Sequence, residues 1–277
     1  MLKVLTDTTL AIKFLTATGK MSSDVRQEFV LLSDILGVSL LVDSVDHPVP
    51  AGATEPTVLG PFHTEEAQHL PAGGTLSHDT DGEPLLAICT VRNLHGEPLE
   101  GVTVDIWETD SHGFYDVQHS SYNGPDGRAI LTSDANGHFH FRAIVPVPYA
   151  IPSDGPVGKL LGSLGRHCYR PAHMHFLLKK EGMEELTTAL YLRGDKYEYS
   201  DAVFGVKSTL VIDLEIAEED MATKYEVEVG CKVLKYGFVM VEKEVTTKLR
   251  REQAEEAMRA QGREVEWVDG LPVPALD

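Results

Sequence analysis

The sequence predicts a mainly β protein, with an antiparallel β-sandwich core, an N-terminal helical segment and a C-terminal helix. Three observations predict this fold class. Short β-branched or alternating segments, bounded by Gly, Asp and Asn, fill the region 85–240. Several such strands separated by turns are typical of a sandwich. Apolar residues at helical spacing precede this region, and a charged helical pattern follows it.

The N-terminal segment, 1–48, has a helical pattern. Its stretch "SSDVRQEFVLLSDIL" offers Ser23 or Asp24 as a helix N-cap and then places apolar residues near 3.6 spacing, starting with Val25 and Phe29. We therefore expect helices up to about residue 45. The next stretch, "DHPVPAGATEPTVLGPFH", is rich in Pro and Gly, which end helices. It predicts a linker arm over 49–84.

The region 85–240 contains the strand patterns of the predicted sandwich. They are "LLAICTVRN", "GVTVDIWET", "GHFHFRAIV", "AHMHFLLKK", "LTTALYLRG" and "STLVIDLEI". The tail, 241–277, returns to a helical pattern at "TTKLRREQAEEAMRAQG", where opposite charges at i,i+4 indicate a solvated face. We expect it to form a C-terminal helical extension.

The charge of the chain argues against two classes of partner. The 277 residues include 24 basic and 43 acidic side chains, a formal net charge of -19. Nucleic acids and anionic membranes are bound through Lys and Arg, so we expect neither as a partner. The 3 cysteines are widely spaced, and no signal-peptide pattern or long apolar run is present. These features predict a cytoplasmic protein with reduced thiols.

Two histidine pairs have the spacing of metal ligands. In "RPAHMHF", His173 and His175 are two residues apart, and in "GHFHF", so are His138 and His140. Residues i and i+2 of a strand point to the same face, where two imidazoles can chelate one ion. Such a pair also arises by chance among 12 histidines. The spacing alone does not decide between ligands and ordinary strand residues.

Two further segments bear on this choice. "DIWETDSHGFYD" places Tyr115 in a polar loop after a predicted strand, and "PVPYAIPSDGPVG" places Tyr149 among prolines that disfavour a central strand. With "RPAHMHF", they resemble the intradiol ring-cleavage dioxygenases. The stretches "QEFVLLSDILGVS", "ATEPTVLGPFH" and "DAVFGVKSTLV" are most similar to the hydroxyquinol 1,2-dioxygenase branch. The resemblance extends from about residue 14 to residue 238.

This resemblance implies a metal centre. In the family, two tyrosines and two histidines hold one non-haem Fe(III), and the matching residues here are Tyr115, Tyr149, His173 and His175. Phenolate is a hard anionic donor that suits a ferric ion. This ligand set differs from the triad of two histidines and one carboxylate that holds iron in Fe(II) oxygenases. The implied reaction takes O₂ as co-substrate and opens the ring of an aromatic diol or triol. In it, Tyr149 leaves the metal and accepts a substrate proton.

The resemblance also implies a substrate pocket and a cationic catalytic residue. Arg170 matches the family's cation beside the ring, where negative charge develops; a structural salt bridge is the alternative. The pocket residues carried over from the family are Leu31, Asp34, Val58, Leu59, Gly60, Pro61, Phe62, Ile151, Pro152 and Arg170. A polar residue that many relatives carry near Ala189 is absent, which removes one possible hydrogen bond to the metal site.

Asp34 is the informative pocket residue, because an acidic group interrupts an apolar helix face. Beside a triol it would accept the hydrogen bond of the third hydroxyl, which catechol cannot offer. The resemblance thus favours hydroxyquinol as substrate and a homodimer as the assembly. Catechol or a substituted catechol is the alternative substrate. A non-catalytic β-sandwich binding module, with these tyrosines and histidines in its core, is the alternative from another class.

Overall fold

The structure is a computed structural model that describes residues 2–23, 26–121, 124–268 and 271–275. The chain begins with the predicted helices, α1 (Leu2–Met21), α2 (Glu28–Ile35) and α3 (Val38–Asp46). None of the described helices is long and apolar enough to cross a membrane.

The predicted start of the second helix is wrong. Gln27 is its N-cap, and Ser23 instead forms an isolated β-bridge with Arg26. Arg26, which precedes the helix, makes salt bridges with Glu28 and Asp154, and such tertiary contacts cannot be read from a local N-cap pattern. Asp24 and Val25 lie outside the described residues.

The strands lie mostly where the patterns predict them, and one pattern splits. The stretch "STLVIDLEI" becomes a 3₁₀ turn (Ser208–Leu210) and two short strands that join different sheets. The strands in chain order are β1 (Gln68–His69), β2 (Pro84–Asn93), β3 (Thr103–Trp107), β4 (Arg128–Thr132), β5 (His138–Ile144), β6 (Tyr149–Ala150), β7 (Tyr169–Arg170), β8 (His173–Lys179), β9 (Leu186–Leu192), β10 (Val211–Ile212), β11 (Glu215–Ile216), β12 (Lys232–Met240), β13 (Val265–Val268) and β14 (Leu271–Pro274).

The sheets are mixed, so the prediction of an antiparallel sandwich is wrong in this respect. One sheet has the order β1-β4-β3-β8-β9-β10 and another the order β11-β12-β2-β5. Among the described strands, β12 runs parallel to β2, β1 to β4, and β10 to β9. Strand alternation in a sequence reports which face is buried, and it does not report the direction of the neighbouring strand.

The two larger sheets share one hydrophobic core. Phe139, Phe141 and Phe238 of the four-stranded sheet belong to the same buried cluster as Met174 and Phe176 of the six-stranded sheet. A second cluster joins helix α2 and helix α4 (Pro156–Ser163) to the other face of β3 and β8. The candidate site lies in this second cluster.

Helices account for about as many residues as strands, so "mainly β" understates the helical share. A short helix α5 (Glu219–Tyr225) precedes β12, and the predicted C-terminal helix is α6 (Lys243–Ala260). The expected helical extension ends there, because the following residues form the hairpin β13–β14. Pro272 and Pro274 lack the N–H that a helix requires, which favours a short two-stranded hairpin instead.

Candidate metal centre and active site

Four predicted side chains meet at one end of the six-stranded sheet. The rings of Tyr115 and Tyr149 are perpendicular (88°), with centroids 5.5 Å apart. The centroids of Tyr149 and His173 are 5.4 Å apart, and the Nε2 atoms of His173 and His175 are 3.1 Å apart. Each of the four residues is at most 5% exposed. Two oxygen and two nitrogen donors therefore share one buried space.

Strand alternation places the histidines. His173 and His175 point to one face of β8, and Met174 between them belongs to the core shared by the two sheets. On the neighbouring strands, Trp107 lies opposite His175, and Tyr191 lies opposite His173. Both imidazoles are thus presented by a paired central strand.

A glycine allows the two tyrosine loops to approach each other. Gly113 has a φ of 83°, and a Cβ there would lie 3.0 Å from the Cβ of Tyr149. The left-handed backbone conformation and this close contact both favour glycine. Tyr115 follows two residues later and caps a 3₁₀ turn, where its N–H donates to the Gln118 side chain over 2.8 Å. This turn directs the Tyr115 ring towards Tyr149.

The two histidines are neutral in this environment. Burial lowers the pKa of both His173 and His175 well below the usual histidine value, and Arg170 adds to the effect. The Nδ1 atom of His173 lies 2.7 Å from the carbonyl oxygen of Pro171. A carbonyl only accepts, so Nδ1 carries the proton, and the lone pair of His173 is on Nε2. That lone pair faces the shared space.

Tyr115 requires a cation to act as an anionic ligand. Burial raises the pKa of Tyr115 well above its ordinary value, and neighbouring Tyr149 raises it further. Such a phenol stays protonated unless a strong cation replaces the proton. In the described part of the chain, no three His, Cys, Asp or Glu side chains form a metal site, so a cation here depends on tyrosine oxygens. The four donors fit a hard ferric ion.

Arg170 is positioned beside these donors by three partners. It lies opposite Tyr149 in the short β6–β7 pair and donates to His173 Nε2 (3.1 Å), the Tyr191 hydroxyl (3.0 Å) and Asp201 (3.3 Å). Burial opposes its charge, but Asp201 and the tyrosine oxygens outweigh burial and raise the pKa of Arg170. Arg170 therefore agrees with both interpretations of the sequence: it forms a buried salt bridge with Asp201, and it places a positive charge at the candidate site.

A cavity of about 480 Å³ opens onto Tyr149 and Arg170. Leu59 does not line it and is 40% exposed. The lining includes the other pocket residues carried over from the family and several unpredicted ones. The predicted ones are Leu31, Asp34, Val58, Gly60, Pro61, Phe62, Ile151, Pro152 and Arg170, and the unpredicted ones include Arg26, Glu28, Gln118 and Val203.

Asp34 is a polar group in a mostly apolar wall of this cavity. Burial raises the pKa of its carboxyl group, while a hydrogen bond with Ser39 and the charge of Arg170 act in the opposite direction. Leu31 lies one helical turn before it on α2 and also lines the cavity. Helix α2 therefore contributes both an apolar and a polar contact to any ligand bound there.

Several residues around the site were not predicted from the sequence. Trp107 stacks on His175, Tyr191 and Asp201 hold Arg170, and His63 packs against Trp107. Trp107 and Tyr191 lie inside strand patterns where an aromatic residue indicates ordinary core. Only the pairing of β8 with its neighbours reveals that they touch the histidines.

The other histidine pair lies elsewhere. His138 and His140 are on β5, in the four-stranded sheet. His138 is exposed, and the ring of His140 packs against Tyr225 with centroids 5.1 Å apart. The structure thus brings the first pair, and not this one, together with the tyrosines.

Known proteins resemble this chain over most of its length. Residues 7–54 match the family model "Catechol dioxygenase N terminus", and residues 58–241 match the model "Dioxygenase". An intradiol ring-cleavage dioxygenase (hqdA) of Aspergillus niger is 59% identical over 266 residues, which are 96% of this chain and 81% of that protein. A hydroxyquinol 1,2-dioxygenase of a Rhizobium species is 44% identical over 211 residues, 76% of this chain and 71% of that protein. The crystal structure of a hydroxyquinol 1,2-dioxygenase from Pseudomonas putida superposes with a TM-score of 0.80, at 40% identity, over 85% of this chain and 83% of that one.

Proposed function

Because the chain belongs to the intradiol ring-cleavage dioxygenase family, we propose that it opens the ring of hydroxyquinol with O₂. The bond between the two carbons that carry adjacent hydroxyls breaks, and both oxygen atoms of O₂ enter the product, 3-hydroxy-cis,cis-muconate, a tautomer of maleylacetate. The observation that carries the proposal is the meeting of Tyr115, Tyr149, His173 and His175 beside a cavity with Asp34 in its wall.

The four donors would hold one Fe(III). When bound, the ferric ion supplies a site for both diol oxygens and withdraws electron density from the ring, which makes the ring reactive towards O₂. The protein supplies neutral imidazoles, held neutral by burial, and two phenol oxygens. Phe62 stacks on Tyr115, with centroids 4.6 Å apart, and shields that ligand from water.

Tyr149 is the base in this proposal. It lines the cavity, so a bound diol can reach its oxygen, whereas Tyr115 does not line the cavity and is 1% exposed. Tyr149 belongs to a strand of only two residues that pairs with Arg170. A side chain on such a short element can change position with little loss of structure, and its phenol oxygen would accept and hold a substrate proton.

Arg170 stabilises negative charge on the substrate. It lines the cavity and carries a charge that Asp201 and the tyrosines maintain despite burial. A fixed cation beside a ring that becomes more anionic lowers the energy of the transition state, because it is already oriented before the reaction. Tyr191, whose pKa burial raises to about 12, keeps its proton and holds the guanidinium in place.

The test uses iron-loaded protein with hydroxyquinol and with catechol. We expect O₂ consumption of one molecule per ring, a higher kcat/KM for hydroxyquinol, and a product with the mass of the diol plus two oxygen atoms. Faster cleavage of catechol would assign the chain to the catechol branch. A binding module without activity would consume no O₂ with either compound.

We also propose that the chain forms a homodimer through its N-terminal helices. Apolar side chains on α1 and α3 remain exposed in the single chain, among them Leu10, Ile12, Leu41 and Val45. An apolar surface of this kind is typical of an interface between subunits. Light scattering should give twice the mass of one chain, and Leu41→Glu should reduce it towards the monomer. A monomeric parent protein would refute this assembly.

A further inference from the structure

We propose that Trp107 is the positioning residue of His175: its indole ring, stacked on the imidazole, sets the ring plane that His175 presents to the cation. The inference rests on the proposed function, since it concerns the metal that these residues would hold. In most metal sites, a hydrogen bond from the second ring nitrogen orients the histidine ligand. Here we infer that aromatic stacking orients it instead.

The two histidines differ in what orients them. In His173 the Nδ1–H donates to the Pro171 carbonyl over 2.7 Å, which fixes both the tautomer and the ring orientation. In His175 the Nδ1 atom is buried and has no hydrogen-bond partner among the residues that the structure describes. Ala189, opposite His175 on β9, offers only a methyl group. Among the described residues, the only polar contact of the ring is on its other edge, where Nε2 lies 3.1 Å from His173 Nε2 and would face the cation. At the Nδ1 edge, the orientation of His175 must therefore come from packing.

Trp107 provides that packing from the other neighbouring strand. It lies opposite His175 in the β3–β8 pair. The two ring planes are within 5° of parallel, and the centroids are 4.8 Å apart. Rotation of the imidazole about its Cβ–Cγ bond would push a ring edge into the indole face. The stack thus permits only a narrow range of ring planes for His175.

Trp107 is itself held in place. It is 1% exposed, and the ring of His63 packs against it at 64° with centroids 4.7 Å apart. His63 Nε2 lies 2.8 Å from a carboxylate oxygen of Asp105, which is two residues before Trp107 and on the same face of β3. Contacts therefore run from Asp105 through His63 and Trp107 to His175. A rigid support of this kind can determine the orientation of the ring that it touches.

The stack also favours the metal-bound form. An imidazole that binds a cation becomes more positive, and the face of an indole is electron-rich. Trp107 therefore stabilises His175 more strongly with the metal than without it. It follows that lowering the electron density of the indole should speed loss of the metal, even when the shape of the ring is unchanged.

Fluorinated tryptophan tests this step without removing the ring. The chain has 2 tryptophans, and the second, Trp267, lies on β13 of the C-terminal hairpin. In a Trp267→Phe background, mono-, di- and trifluorotryptophan would label Trp107 alone. We expect the rate of iron transfer to an excess chelator to rise with each fluorine, roughly tenfold across the series. We also expect a graded change in the ferric electron paramagnetic resonance spectrum without substrate. A flat rate with an unchanged spectrum would overturn the inference.

A matched pair of substitutions tests the positional role. Trp107→Leu removes the stack, and Phe139→Leu makes the same kind of change at a buried aromatic residue in the core between the sheets. Iron should leave the first variant roughly tenfold faster and the second at the parent rate. Equal rates in the two would refute the assignment. If Trp107→Leu does not fold, the fluorinated series decides alone. A parent protein that takes up no iron would refute the proposed function instead, so the two failures are distinguishable.

Discussion

The Nε2 atom of His173 lies 3.1 Å from the Nε2 atom of His175, while the proton of His173 is held on the opposite side of the ring by the Pro171 carbonyl. The lone pair of His173 Nε2 therefore points into a space shared with the neighbouring imidazole. An N–H of Arg170 lies 3.1 Å from the same atom. A positive group is thus already placed where a cation would bind.

The first prediction is that the purified protein binds about one ferric ion per chain and is wine-red, because phenolate bound to Fe(III) absorbs visible light by charge transfer. Tyr115→Phe should remove most of this band, since Tyr115 is the buried ligand that we expect to stay bound. Tyr199→Phe is the control, because Tyr199 is 92% exposed and should leave the band unchanged. Metal analysis and absorption spectra test this.

Two outcomes would contradict the first prediction. One is that the protein carries zinc in place of iron. The other is that it takes up iron and stays colourless, which would show that neither tyrosine binds the metal. If Tyr115→Phe and its control Tyr199→Phe both lost colour, the cause would be unfolding rather than loss of a ligand. Circular dichroism would distinguish these two causes.

The second prediction concerns the histidine pair on β5. His138→Ala and His140→Ala should each leave the iron content of the protein intact, because both residues lie in the four-stranded sheet and away from the tyrosines. His173→Ala and His175→Ala should each lose iron. Iron analysis of the four variants would refute the assignment if the β5 variants lost metal and the β8 variants kept it.

The third prediction concerns the contact between helix α2 and the start of helix α4, which follows the loop of Tyr149. The Glu28 carboxylate is buried, accepts the N–H of Val157 at the start of α4, and is held by Arg26. A Cβ on Gly155 would lie 2.3 Å from Glu28 Oε1. Gly155→Ala should therefore cost about 1–3 kcal/mol of unfolding free energy.

Gly162 offers a matched control for this change. It lies in the same helix, and a Cβ there would meet no atom within 4 Å. Gly162→Ala should stabilise the protein by up to about 1 kcal/mol, since alanine favours helix over glycine. Urea unfolding of both variants and the parent tests this pair. Equal effects of the same sign would show that the contact with Glu28 is easily relieved.

The fourth prediction is a pH dependence of stability that arises from Glu108. This carboxyl group is 1% exposed, and its Oε2 has no hydrogen-bond partner in the described part of the chain. Burial raises its pKa well above the ordinary value, and Asp126 and Asp79 add to the rise. A glutamate side chain in the unfolded chain has a pKa of about 4.3. Below that pH, Glu108 is protonated in both the folded and the unfolded state, and its ionisation does not affect stability. As the pH rises, only the unfolded chain releases the proton, so stability falls until the folded pKa is passed.

Glu108→Gln should therefore stabilise the protein at about pH 8 and have little effect at about pH 4, because the amide stays neutral throughout. A difference of one unit between folded and unfolded pKa corresponds to about 1.4 kcal/mol. The measurement is the urea midpoint of variant and parent at both pH values. Glu228→Gln, at an exposed position, is the control and should show no such trend. A gain of equal size at both pH values would exclude ionisation as its cause.

The meeting of the four candidate side chains agrees with the sequence better than the sheets around them do. Strand alternation predicts that His173 and His175 share one face, and their place beside Tyr115 and Tyr149 agrees with the family resemblance. The parallel pairing of β12 with β2 does not follow from the sequence, because the paired residues are 147 positions apart and strand alternation does not report the direction of the neighbouring strand. Trp107 was missed for a related reason, since its role depends on register with His175 and not on its own sequence neighbours.

The last prediction concerns Asp34 and the choice of substrate. The carboxyl group lies in the wall of the cavity that opens onto Tyr149 and Arg170, and most of that wall is apolar. Hydroxyquinol has a third hydroxyl that can donate to this group, and catechol has none. A buried hydrogen bond to a charged acceptor contributes roughly 1.5–3 kcal/mol, or about ten- to a hundredfold in selectivity. Asp34→Ala should therefore lower kcat/KM for hydroxyquinol more than for catechol.

The decisive quantity is the ratio of kcat/KM for the two compounds, measured in the parent, in Asp34→Ala and in a control. Asp46→Ala serves as the control, because Asp46 is exposed at the end of α3 and does not line the cavity. We expect the parent and the control to prefer hydroxyquinol, and Asp34→Ala to lose about ten- to a hundredfold of that preference. If the parent prefers catechol, the proposed substrate is wrong. If the parent prefers hydroxyquinol and the ratio does not change in Asp34→Ala, another group recognises the third hydroxyl. Arg26 and Gln118, which also line the cavity, are then the residues to replace next, since each carries a polar side chain there.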